Sequence, residues 1–264
     1  MHEPETAAGD RLLAADEPAA YTVECESGHS GWLLICDHAG NRVPRKLASL
    51  GLPDAELQRH IAWDIGAAAV SRRLARMLDA PLVLQNYSRL VIDCNRPLNS
   101  SDSIVLRSER TEIPGNRNLS AAAAQHRANE IFVPYHACIR ATLDARLQRG
   151  HEPVLVFMHS FTPTYLGEQR PWHIGVLHNR DSRLARALIG ALRVETGLNV
   201  GDNEPYTVGD DTDYSIPEYG ERRGLLHVGI EIRQDLIENE AGQQEWAARL
   251  DRLLRVCSVS SFNR

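Results

Sequence analysis

The sequence predicts a single α/β domain with a mostly parallel or mixed central sheet and helices on both faces. Three observations carry that prediction. Short apolar runs rich in branched residues, at 33–36, 82–84, 154–158 and 225–232, are too short for buried helices and suit buried strands. Longer stretches with apolar residues at helical spacing separate them, and that alternation favours parallel pairing with crossover helices. A chain of 264 residues, 43% of them hydrophobic, can bury one large core.

Taken in order, residues 1–28 are acidic and rich in Ala and Pro, which predicts an extension lying on the surface or partly disordered, with the domain proper over 29–264 and its first strand near Trp32. The N-terminus has no apolar core behind a basic start, so neither a signal peptide nor an anchor is expected. A capped turn near Pro53 and an amphipathic helix over 67–80, with Val70, Leu74 and Leu78 on its apolar face, lead into a strand at 81–85. Leu90-Val91-Ile92-Asp93 reads as another strand, and 99–115 as a long functional loop. Ser120 should cap a helix running to Gln148, kinked or split by Pro134. Strands at 154–158, 174–178 and 225–232, helices at 182–196 and 243–256, and an irregular loop at 201–224 complete the chain.

Composition excludes several functions. A net charge of −6 offers no broad basic field for nucleic acid or an anionic membrane. No apolar run approaches the roughly 20 residues of a spanning helix. Five widely spaced cysteines without a CxxC pair fit reduced thiols of a cytoplasmic protein. There is no GxGxxG, Walker or GxSxG sequence, which argues against a nucleotide cofactor and a serine hydrolase.

Chemistry gathers at strand ends. Asp37-His38 follows the first apolar strand, His159 follows VLVFM, and Glu231 sits in the last strand, so an α/β sheet would bring all three toward one crevice. Two imidazoles and a carboxylate suit zinc, whose catalytic sites use three protein ligands. A histidine at a strand end is equally a hydrogen-bonded structural residue. Asp64, just before a helix, is either a cap or a third ligand. Glu231, between Ile230 and Ile232, has the apolar setting that raises a carboxyl pKa into the range of a general base. Arg89 and Arg96 bracket a buried segment and present guanidinium forks for a small carboxylate, unless Arg89 pairs with a structural acid and Arg96 sits on the rim. Tyr214, in the glycine-bearing loop, belongs either to a lid over the ligand or to an ordered turn.

Asp37-His38-Ala39-Gly40 with Val43-Pro44, Ser88-Arg89-Leu90 with Asp93-Cys94-Asn95-Arg96-Pro97, His159-Ser160-Phe161, and Glu231-Ile232-Arg233-Gln234-Asp235-Leu236 resemble the N-formylglutamate amidohydrolase family in order and spacing, over about residues 33–254. That family is similar to the zinc carboxypeptidase and aspartoacylase group. The resemblance implies a zinc carboxypeptidase-like fold and one zinc ion per chain held by His38, His159 and a carboxylate. It also implies Glu231 as general base, Arg89 as a carbonyl or carboxylate contact, and Asn95 and Arg96, with Arg233 and Tyr214, as substrate contacts. The relatives take their carboxylate ligand from HxxE, but that position here is Asn41, so Asp64, or else Asp37, must supply it; Asp64 is the expectation. The implied reaction cleaves N-formyl-L-glutamate, a small carboxylate, to formate and glutamate. Removal of other acyl groups, cleavage of short peptides, and metal-free carboxylate binding remain the alternatives.

Overall fold

The structure, a computed structural model, describes residues 11–262. In chain order it comprises β1 (Tyr21–Glu24), β2 (Trp32–Cys36), α1 (Asp54–Leu57), α2 (Ala67–Leu78) and β3 (Leu82–Gln85). A small hairpin, β4 (Arg107–Ser108) and β5 (Thr111–Glu112), precedes α3 (Ala121–Arg127) and α4 (Val133–Gln148). Then come β6 (Val154–Phe161), a second hairpin of β7 (Thr164–Tyr165) and β8 (Glu168–Gln169), β9 (Ile174–Leu177), α5 (Arg183–Arg193), β10 (Val200–Asp202), β11 (His227–Arg233) and α6 (Glu240–Phe262).

The principal sheet has seven strands in the order β1-β3-β2-β6-β11-β9-β10. Its centre, β3-β2-β6-β11, is parallel, while β1 runs antiparallel to β3 and β9 antiparallel to β11. The sheet is therefore mixed, and both its faces are covered, as the near-continuous apolar runs require. One face packs against α2, α5 and α6 through Val70, Leu74, Leu188, Leu192, Trp246 and Leu250. The other packs against α4 and the long loops through Ile131, Tyr135, Ile139, Leu90, Val91 and Tyr219. That second face carries the cleft.

Three expectations are corrected. Residues 21–24 are not part of a surface extension: β1 is an edge strand in register with β3, and Leu12 and Leu13 are buried, with both their N–H groups donating to the Glu130 carboxylate. The acidic, Ala-rich composition hid a strand of only four residues. The part of the proposed extension before residue 11 lies outside the described residues. Second, Leu90-Val91-Ile92-Asp93 is buried but is no strand. Its carbonyls are taken by side chains instead of a ladder: Asn116 Nδ2 donates to Leu90 O at 2.9 Å and Arg127 Nη1 to Val91 O at 2.9 Å. Arg127 is buried without an acid beside it, and burial pushes its guanidinium down to about 10. Third, the 201–224 loop is less irregular than expected, since β10 lies at its start and Ile216–Glu221 form a wide π-type turn.

The long helix is split as Pro134 predicts. α3 ends at Arg127, a π-type turn spans Ala128–Phe132, and α4 resumes with the proline in its first turn, where no N–H is required of it. Among the described residues no disulfide joins any of the five cysteines. Among the described residues no helix is long and apolar enough to cross a membrane.

Candidate active site

The cleft opens beyond the carboxyl ends of β2, β6 and β11, where an α/β sheet places its ligands, and encloses about 620 Å³. β2 ends at Cys36, and the chain turns sharply, delivering Asp37 and His38. Gly40 makes the turn possible, because a Cβ there would stand 2.1 Å from the Asn86 carbonyl oxygen. The backbone returns so that Asp64 N–H donates to His38 O at 3.0 Å, fixing Asp64 beside that histidine just ahead of α2. β6 carries His159 and β11 carries Glu231. The two are register partners on adjacent parallel strands and project from the same face.

His38, Asp64 and His159 are all buried and present one ligand atom each within 4.8 Å of one another. Asp64 Oδ2 lies 2.8 Å from His159 Nδ1 and 3.4 Å from His38 Nδ1, and it also accepts from Ser160 N–H. The far nitrogen of each ring faces another carboxylate. His38 Nε2 is 2.7 Å from Asp93 Oδ1, and His159 Nε2 is 3.5 Å from Asp37 Oδ2. Asp37 is held in turn by the Tyr135 and Ser215 hydroxyls at 2.8 and 2.7 Å. With a proton on each Nε2 facing these acids, both Nδ1 lone pairs would be directed toward the position of Asp64 Oδ2, the arrangement by which histidine binds a metal.

Charge points the same way. Asp37, Asp64, Asp93 and Glu231 are buried around the Arg89 guanidinium and the His38 and His159 imidazoles. Burial opposes ionisation of Asp64, but His38 and His159 outweigh it and hold the carboxyl far below its ordinary value. Burial likewise opposes charge on His159, yet Asp37 and Asp64 raise its pKa well above that of a free imidazole. Burial dominates for Glu231, pushing it up to about 7. Among the described residues its Oε2 is buried with no hydrogen-bond partner, while Asp37 Oδ2 has only the 3.5 Å contact to His159 Nε2. A pocket with this acid surplus, an unpartnered Glu231 oxygen and two Nδ1 atoms turned toward one carboxylate fits a divalent cation.

The remaining sequence candidates divide. Arg89 lines the cleft, but its Nε and Nη2 donate to Asp93 Oδ2 at 3.1 and 2.8 Å, leaving Nη1 with only a 3.5 Å contact to Asp64. Asn95 lines it as a strut: its Oδ1 accepts from Tyr214 N–H and Ser215 N–H, and its amide donates to Asp213. Arg96 lines it with Nη1 on the Asn95 and Thr212 carbonyls and 3.5 Å from Asp213, while its Nε and Nη2 make no hydrogen bond among the described residues. Tyr214 and Arg233 are corrections. The Tyr214 backbone meets Asn95, but its ring turns away and packs on His136 and Phe132 at 4.5 and 5.0 Å. Arg233 pairs with Asp235 at 2.8 Å and reaches the carbonyls of Pro171 and Trp172, away from the cleft lining. Asn41 faces Leu57 O and Gln58 and not the histidines.

Sequence reasoning missed Asp93 as the partner of His38. Its place in Asp93-Cys94-Asn95-Arg96 was visible, but reading it as a strand end concealed that it turns back to an imidazole 55 positions earlier. Tyr206 and Arg170, which also line the cleft, carried no local signal.

The family model for N-formylglutamate amidohydrolase matches residues 30–238. The chain belongs to the N-formylglutamate amidohydrolase family. It is thus a hydrolase. Gene product Atu2144 from Agrobacterium tumefaciens is 39% identical, with a TM-score of 0.92 over 96% of this chain and 100% of that one. N-formylglutamate amidohydrolase from Ralstonia eutropha JMP134 shares the fold, with 23% identity and a TM-score of 0.72 over 92% of this chain and 98% of that chain. An aspartoacylase family protein from Mesorhizobium loti superposes with a TM-score of 0.35, too low to bear on the fold. No curated protein matches the chain.

Proposed function

We propose that this amidohydrolase uses zinc to cleave the N-acyl bond of an acidic N-acyl amino acid, converting N-formyl-L-glutamate and water to formate and glutamate. The observation that carries the reading is the buried, unpartnered Oε2 of Glu231 beside the His38, Asp64 and His159 cluster. Those three residues would hold the ion. When bound, zinc supplies Lewis acidity toward the acyl carbonyl and makes water more acidic.

The protein's own groups do the rest. Glu231, with its carboxyl pushed up to about 7, accepts a proton from the attacking water on Oε2 and returns it to the leaving nitrogen as the C–N bond breaks. Arg89 Nη1, its least committed donor, faces the oxygen on which negative charge grows. Arg96, through Nε and Nη2, holds the amino-acid carboxylate, and Asn95 positions the 212–215 segment against it. Asp93 and Asp37 orient the two imidazoles.

The size of the cleft favours a second reading. About 620 Å³ lies in the range of sites for ligands larger than a formyl amino acid, which suits bulkier acyl groups or short acylated peptides. Elemental analysis of the protein as purified, with assay of the same sample on formyl-, acetyl- and succinyl-glutamate, tests both. Formate release with about one zinc per chain supports the first reading, and preference for succinyl supports the second. Absence of zinc with intact carboxylate binding would replace both by a metal-free binding protein.

A further inference from the structure

Four arginines line the cleft, and three of them face protein carboxylates: Arg89 faces Asp93 and Asp64, Arg96 faces Asp213, and Arg107 faces Glu112. Arg170 is the exception. Among the described residues it has no carboxylate within ion-pair distance, and its one side-chain hydrogen bond runs from Nη1 to the Tyr206 hydroxyl at 2.8 Å. Its guanidinium is nevertheless held in place, 4.6 Å from the Tyr165 ring centre and 4.9 Å from that of Tyr206. Its backbone N–H is tied to Pro163 O at 2.8 Å. With Nη1 on the Tyr206 hydroxyl, Nε and Nη2 make no hydrogen bond among the described residues, and they are the donors left to grip a carboxylate. A half-buried cation clamped in this way and lacking an acid is a receptor waiting for one.

The clamp is also built against the reacting centre. Gly175 on β9 is the register partner of Glu231, and a Cβ there would stand 1.9 Å from Glu204 O and 3.4 Å from Glu231 Cβ. The missing side chain lets the segment leading to Tyr206 settle beside the proposed base. Arg170 itself follows β8, in the hairpin that continues directly from the strand carrying His159.

We propose that Arg170, braced by Tyr165 and Tyr206, binds a second carboxylate of the substrate, the side-chain carboxylate of an acidic amino acid whose other carboxylate meets Arg96. The assignment rests on the hydrolase reading above and names the residue that recognises the second carboxylate of its substrate. It is tested by comparing N-formyl-L-glutamate with N-formyl-L-glutamine in turnover, and L-glutamate with L-glutamine in calorimetric binding, for the full-length zinc-loaded protein and its R170M and R170K variants. In R170M the glutamate-over-glutamine ratio of kcat/KM falls on the order of 100-fold, as expected for loss of one partner of a charge pair, and the binding ratio falls with it. R170K, which keeps the charge without the fork, recovers part of both ratios. Unchanged ratios in R170M, or R170K equal to R170M with both substrates reduced alike, overturn the assignment while leaving the hydrolase reading intact. If no formyl substrate turns over but R170M still abolishes the binding preference for glutamate, the receptor stands and the hydrolase reading falls.

Discussion

Glu231 and His159 stand opposite each other on two parallel strands, so the proposed base and a proposed ligand leave the sheet side by side, with Glu231 carrying a buried oxygen that has no hydrogen-bond partner among the described residues. Parallel pairing in register makes this juxtaposition insensitive to loop motion, which is what a reaction requiring sub-ångström placement demands.

Glu231→Gln is expected to lower kcat by roughly 100- to 10,000-fold, the usual contribution of a positioned general base, with metal content and the circular dichroism spectrum unaltered. Steady-state kinetics beside elemental analysis checks it. Turnover within a few-fold of the parent would take Glu231 out of the mechanism.

Asp93→Asn tests the outer carboxylate. The 2.7 Å contact to His38 Nε2 is exchanged for an amide that no longer holds a proton on that nitrogen, so metal affinity should weaken about 10- to 100-fold. Competition against a fluorescent chelator reads this directly. Unchanged affinity would mean that the tautomer of His38 is set by something else.

His136 predicts a pH dependence of stability. Burial pushes its imidazole down to about 4, where Tyr219 and the Cys94 carbonyl partner it. The folded pKa is below the ordinary 6.5, so between those values the unfolded chain binds the extra proton and stability falls as pH falls. At pH 5 the loss from this group is about 2 kcal/mol relative to pH 7. Urea unfolding at the two pH values should show a smaller pH difference in His136→Gln than in the parent. An identical difference in both proteins would refute the assignment of the effect to His136.

Gly175→Ala places a methyl 1.9 Å from Glu204 O, against backbone that cannot swing aside as a side chain would. Overpacking of this kind costs about 1–3 kcal/mol, and the displaced segment carries Tyr206. A lower Tm and a reduced kcat/KM should appear together. A Tm equal to the parent's would show that the segment is free to retreat.

Much of the fold was legible in residue order. The runs at 33–36, 154–158 and 225–232 became the parallel centre of the sheet, because strands buried on both faces must be apolar almost throughout. Pro134 announced the break between α3 and α4, since a missing N–H acts locally. Where local pattern failed, the deciding partners were remote. Leu90-Val91-Ile92 has the composition of a strand, but Asn116 and Arg127 take its carbonyls, and no periodicity within the segment reports on them.

The sequence by itself determined which residues could do chemistry and that they would sit at strand ends, because strand apolarity and the residue that interrupts it are both local properties. Only the tertiary structure decided that His38, Asp64 and His159 converge, that Asp93 backs His38, that Tyr214 and Arg233 point elsewhere, and that Arg170 faces the cleft without an acid. Those outcomes depend on strand order and on remote pairs, such as Asp64 with His159, 95 positions apart. Chain folding brings such pairs together through the packing of the whole sheet, and no stretch of sequence short enough to read as a motif contains both members.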